Sequence, residues 1–78
     1  MNAKEIGRIV LAHRKHSGLT QKQLADISGV GKTVVFDVEK GKETVQLNSL
    51  LNIFAVLNIQ LVLKSPFIKS AELKYEKS

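Results

Sequence analysis

Seven positions constrain the fold of this chain more than any others: Gln21, Leu24, Ala25, Gly29, Val30, Val35 and Val38. Their spacing fits two short helices packed at a steep angle around a glycine turn. Ala25 is small where the second helix of the pair must approach, because a larger side chain would force the two apart. Gly29 stands where the tight turn favours positive φ, which glycine adopts without a Cβ penalty. Val30, Val35 and Val38 fill the wedge.

The flanking residues extend this pair into a mainly helical domain of four to five helices. Ala3–His16 reads as a first helix with Ile6, Ile9, Val10 and His13 on one face, ended by Gly18. Thr20 with Gln23 three residues on is a capping box that opens the second helix, whose apolar positions are Leu24, Ala25 and Ile27. A third helix is expected over about residues 32–40, with Val34, Val35 and Val38 inward and Gly41 as its stop. Its valines weaken helix propensity, so the flanking glycines carry part of that assignment. The fourth, about residues 46–57, has the cleanest stripe: Leu47, Leu50, Leu51, Phe54 and Leu57. Asn58 suits the left-handed position after it.

At Ile59 the period changes. Ile59, Leu61 and Leu63 fall on one face at period two, so residues 59–64 read as a strand that Pro66 ends. The bland alternative is that these residues extend the fourth helix. A lone strand has no partner in a helical chain, and an unpaired apolar edge is unstable in water. A second copy, paired antiparallel through Ile59, Gln60, Leu61, Val62 and Leu63 across a two-fold axis, supplies one. Size points the same way. A chain of 78 residues without cysteine has a thin core and no disulfide staple, which leaves oligomerisation. The expected organisation is one domain over residues 1–64 and a tail over 65–78. That tail, holding Phe67, Ile68, Leu73 and Tyr75, reads as a frayed helix or a segment ordered by a partner.

The central pair is a helix-turn-helix arrangement, which docks its second helix in the major groove of DNA. Twelve Lys and Arg against seven Asp and Glu leave a charge of +5, which suits a polyanionic partner. With Val35 and Val38 inward, Thr33 and Lys40 point directly away, Phe36 and Asp37 flank them, and Lys32 lies at the first turn. Lys32, Thr33, Phe36 and Asp37 are therefore the base-reading candidates. Lys32 can bond guanine O6 and N7 or a phosphate, and Thr33 a base edge or a thymine methyl. Phe36 can pack on a thymine methyl or on a partner. Asp37 can accept from cytosine N4 or pair with Lys40. Gln21, Lys22, Lys40 and Lys42, with the helix N-terminal amides, are the phosphate candidates. For any one lysine the bland reading is a solvated surface charge.

Gly18-Leu19-Thr20-Gln21-Lys22-Gln23-Leu24-Ala25, then Gly29-Val30-Gly31-Lys32 and Glu39-Lys40-Gly41-Lys42, resemble the Xre/phage-repressor, lambda-repressor-like family. Thr44-Val45-Gln46-Leu47, Leu50-Leu51 and Leu57-Asn58-Ile59-Gln60-Leu61 are similar, more narrowly, to HipB-type antitoxins. The resemblance covers roughly residues 5–63. It implies a dimeric cytoplasmic repressor that binds palindromic double-stranded operator DNA and autoregulates a toxin–antitoxin operon. It further implies an intersubunit two-stranded sheet, a HipA-like kinase toxin as partner, and an ion pair between Arg14 and Glu39. The chain departs from the family pattern at Gly31, Phe36 and Asp37, which bears on the operator rather than on the fold.

Other signals are weaker. Gly29-Val30-Gly31-Lys32-Thr33 imitates the end of a phosphate-binding loop, but Asp26 stands where its first glycine belongs and a helix precedes it. His13 and His16 lack a third ligand nearby, so no metal or cofactor is expected. No glycine-framed nucleophile stands out, and no enzyme is expected. The charges among the first sixteen residues interrupt any signal-peptide core. Residues 44–63 are uncharged, but Gln46, Asn48, Ser49, Asn52, Asn58 and Gln60 make a membrane span costly. The competing functional class is a protein-interaction module, anchored by Phe36 or by the tail.

Overall fold

Four helices, α1 (Ala3–His16), α2 (Gln21–Ser28), α3 (Lys32–Lys40) and α4 (Leu47–Leu57), precede two short strands, β1 (Val62–Lys64) and β2 (Glu72–Lys74). The structure, a computed structural model, describes residues 1–67 and 72–74. Each boundary has a local cause. Asn2 accepts from the Glu5 amide while the Glu5 carboxylate accepts from the Asn2 amide, a capping box at the start of α1. Thr20 and Gln23 form the second box, as their spacing predicts. Gly29 ends α2 at φ 72° and Asn58 ends α4 at φ 58°, both left-handed.

The core is Val10, Leu24, Ala25, Val35, Val38, Ile53, Phe54 and Leu57. It lies where α1, α2 and α3 meet over α4. Helical periodicity finds all of these but Ile53 and adds four residues that are exposed. Ile9, His13, Ile27 and Leu47 are exposed, although each has apolar spacing within its helix. α1 packs on α3 through a narrower arc than its sequence suggests, one centred on Gly7, Val10 and Arg14. Leu47 stands in the first turn of α4 and is 63% exposed. Ile53, not singled out by the stripe, is fully buried. Ser28 is the buried polar residue among those described, and its hydroxyl donates to the Leu24 carbonyl within α2.

Gly7 explains the closeness of α1 and α3. A Cβ there would press on the Val38 carbonyl oxygen and sit 3.0 Å from that of Glu39. Gly7→Ala is therefore expected to destabilise by about 1–3 kcal/mol, despite the better helix propensity of alanine. Urea titration followed by circular dichroism checks this; a neutral or stabilised variant would mean that α1 slides away freely.

The C-terminal strand differs from expectation in two ways. It begins at Val62, not Ile59. The Ile59 amide donates to the Phe54 carbonyl at 2.9 Å, closing α4, and Ile59 and Leu61 pack on the core. Those residues finish the helical domain instead of starting the sheet. The strand also has a partner in its own chain: β1 pairs antiparallel with β2, with Val62 opposite Lys74, Leu63 opposite Leu73 and Lys64 opposite Glu72. The tail thus contributes a strand, not a helix, at Glu72–Lys74. Ile68 and Tyr75 lie outside the described residues. No described helix is long and apolar enough to cross a membrane; the uncharged stretch 44–63 is divided at Asn58.

Candidate nucleic-acid interface

α3 offers a face rather than a cleft. Its inner residues Val35 and Val38 are buried, which fixes the rotation of the helix and leaves Lys32, Thr33, Phe36 and Lys40 exposed. Asp37 lies at the edge of that face, half-buried. Gly31 precedes α3 without a side-chain cap, so its first amides keep their donors and the positive end of the helix dipole. A shallow groove lined by Thr20, Gln21, Lys22 and Lys32 joins the start of α2 to the start of α3.

The candidate side chains differ in what else they touch. The Lys40 ammonium lies 5.6 Å from the centroid of the Phe36 ring, one turn away, which gives the 47%-exposed aromatic an intramolecular cation partner. Asp37 accepts from Lys42 Nζ at 3.4 Å, not from Lys40. Lys22 Nζ is 3.0 Å from Asp26. Both of these ion pairs are solvent-exposed on at least one side and cheap to exchange for another anion. Lys32 has no such partner among the described residues.

Gln21 occupies a different kind of place. Its side-chain amide donates to Glu39 Oε1 at 3.0 Å. Glu39 in turn receives Arg14 Nε at 2.6 Å and Arg14 Nη2 at 3.1 Å, while Arg14 Nη1 reaches the Leu19 carbonyl at 2.9 Å. The hydrogen bond to Glu39 holds the Arg14 guanidinium above its ordinary pKa, outweighing the opposing effect of burial. The ion pair implied by the family resemblance is present, and it locks the end of α1, the start of α2 and the end of α3 together. The pattern of alternating apolar positions does not disclose this triad, because its members are polar and far apart in sequence.

No group of three or more described His, Asp or Glu residues could hold a metal ion. The chain is similar to an uncharacterized HTH-type transcriptional regulator of Sinorhizobium fredii, 34% identical over 62 residues that cover 80% of this chain and 82% of that protein. It is equally similar, 34% over 62 residues, to an uncharacterized HTH-type transcriptional regulator of Haemophilus influenzae; the match covers 80% of this chain and 63% of that longer relative. It is 37% identical over 59 residues to control protein C.SmaI of Serratia marcescens, covering 74% of this chain and 70% of that one. The helix-turn-helix family model matches residues 10–63, from the middle of α1 to β1, and the chain belongs to that helix-turn-helix family.

Proposed function

We propose that this protein is a sequence-specific DNA-binding transcriptional regulator that represses its own operon as a homodimer. The observation that carries the reading is the outer face of α3. Lys32, Thr33, Phe36 and Lys40 stand exposed on a helix whose rotation and tilt are fixed from behind by Val35, Val38 and the Arg14–Glu39–Gln21 network. A rigid, uncapped, basic helix end of this kind suits major-groove entry. The HTH-type regulators to which the chain is similar support the same class.

Lys32 and Thr33 read bases near the start of α3, Phe36 and Asp37 bound the reading surface, and Lys22, Lys40 and Lys42 hold phosphate. Gln21 contributes chiefly its amide at the first turn of α2, since its side chain is engaged by Glu39. The free edge of β1, carrying Val62 and Leu63, suits pairing with a second copy, because a two-stranded sheet alone is marginal. Two copies related by a two-fold axis match a palindromic operator. The narrower role, a HipB-like antitoxin facing a HipA-like kinase toxin in the cytoplasm, is supported by the motif resemblance between Thr44 and Leu61.

The test is a gel-shift selection from the DNA upstream of the gene, repeated with Lys32→Ala and Thr33→Ala. Each variant is expected to lose about 1–3 kcal/mol on the selected site and to relax its base preference there. Unchanged preference in both removes them from the reading surface. Equal affinity of the unmodified protein for selected and random duplexes removes sequence-specific repression altogether.

A further inference from the structure

We propose that the outer flank of α1 is a second phosphate-binding surface, through which Lys4, Arg8 and Lys15 hold duplex backbone beside the segment that α3 reads. The inference rests on the DNA-binding reading above and extends it to residues that reading does not use. At about 100° per residue, these three cations fall within an arc of about 40° on α1. All three are exposed, and none of their side chains makes a hydrogen bond or ion pair among the described residues. Most other cations near the reading face are held: Arg14 by Glu39, Lys22 by Asp26 and Lys42 by Asp37. The acidic residue of α1, Glu5, lies about 60° or more from the arc and bonds back to Asn2. Glu43 lines a groove with Met1, Asn2 and Ala3 at the Lys4 end, without bonding to Lys4.

The placement of α1 aims the stripe. Gly7 meets the Val38 and Glu39 carbonyls, and a Cβ on Gly41 would lie 2.8 Å from Lys4 Cγ, so Lys4 sits at the C-terminal end of α3. Around α1, the core residues Ile6 and Val10 lie on one side of Gly7 and the stripe on the other. It therefore turns away from the core, as Thr33 and Lys40 do on α3. A rise of about 1.5 Å per residue spreads the three cations over about 16 Å, along which one DNA strand carries roughly five phosphates. Continuity with the α3 face and the sign of the charge favour that backbone over an acidic protein or a lipid surface.

The experiment compares the protein with the triple variant K4Q/R8Q/K15Q, whose thermal unfolding by circular dichroism is expected to be unchanged because all three sites are exposed. Binding to a mixed-sequence duplex and to the selected site is titrated at several salt concentrations. The variant is expected to weaken on both duplexes by the same factor, with a salt slope shallower by about 2–3 per protomer and its base preference intact. Equal affinity and slope in variant and unmodified protein overturn this inference alone. Binding to phosphatidylglycerol vesicles that the triple variant loses, with DNA affinity intact, overturns it in favour of a membrane surface. An unmodified protein that binds neither duplex overturns the DNA reading, and this inference with it.

Discussion

Glu39→Ala is expected to cost the fold about 3–5 kcal/mol, because it strands the Arg14 guanidinium at a three-helix junction. The Arg14 and Glu39 side chains are 11% and 5% exposed, so water reaches neither well enough to replace a lost partner. A domain of this size has roughly 4–12 kcal/mol in all, at about 0.05–0.15 kcal/mol per residue. One substitution thus removes a quarter or more of it. Urea denaturation followed at 222 nm or about that wavelength gives the midpoint, and an unchanged slope would show that stability rather than compactness had moved. Glu39→Gln keeps an acceptor for Arg14 and a contact for Gln21, so it should lose less. Replacing both partners, Arg14→Met with Glu39→Leu, should recover much of the loss, since the penalty comes from the uncompensated charge and not from the missing bond. A loss under about 1 kcal/mol in Glu39→Ala would mean that the pair behaves as a surface ion pair. The same network bears on function: Gln21 ties the start of α2 to the end of α3, so its loss frees the angle at which the exposed face is presented.

What the sequence discloses, and what it does not, divides along a physical line. Local signals were legible: the Thr20–Gln23 box, the left-handed Gly29 and Asn58, and α3 from Lys32 to Lys40 all follow from neighbours within four residues. The buried pair Val35 and Val38 then set the exposed side of α3. Signals that depend on how helices cross were not legible from periodicity. Ile9, Ile27 and Leu47 carry apolar side chains at helical spacing, yet the arcs in contact are narrower or rotated, and all three are exposed. Gly7 looks like an ordinary weak point in a helix until the Val38 and Glu39 carbonyls are found against it. At the C-terminus, period-two spacing beginning at Ile59 mixed two jobs, since Ile59 and Leu61 cover the core and only the residues from Val62 onward enter the sheet. The partner strand Glu72–Lys74 is short and charged, which gives it no strand signature of its own. At the candidate interface, residue positions were readable but their engagements were not. Asp37 turns to Lys42, Lys40 to Phe36 and Gln21 to Glu39, each a choice made by geometry across a turn or between helices.

DNA affinity is expected to fall by about 10³–10⁵ as salt rises from about 50 to about 200 mM, the largest effect foreseen for this protein. Each phosphate neutralised by a cation releases condensed counterions, so log K falls against log salt with a slope of about −0.9 per contact. Lys22, Lys40 and Lys42 supply three such contacts in one protomer, and a dimer on a palindrome doubles them to about six, within the range of about 6–10; contacts from α1 steepen the slope further. The exposed pairs Lys22–Asp26 and Lys42–Asp37 are also salt-sensitive in the free protein, and each that must open on binding lowers the affinity by no more than about 1 kcal/mol. Fluorescence anisotropy on a labelled duplex, with the selected site and a scrambled one run in parallel, reads the slope directly. A slope near half the expected value identifies a single protomer on the duplex, and it removes the pairing of copies through the β1 edge. A flat profile on both duplexes removes phosphate contact from the α3 face, and the exposed Phe36 then belongs to a protein partner instead.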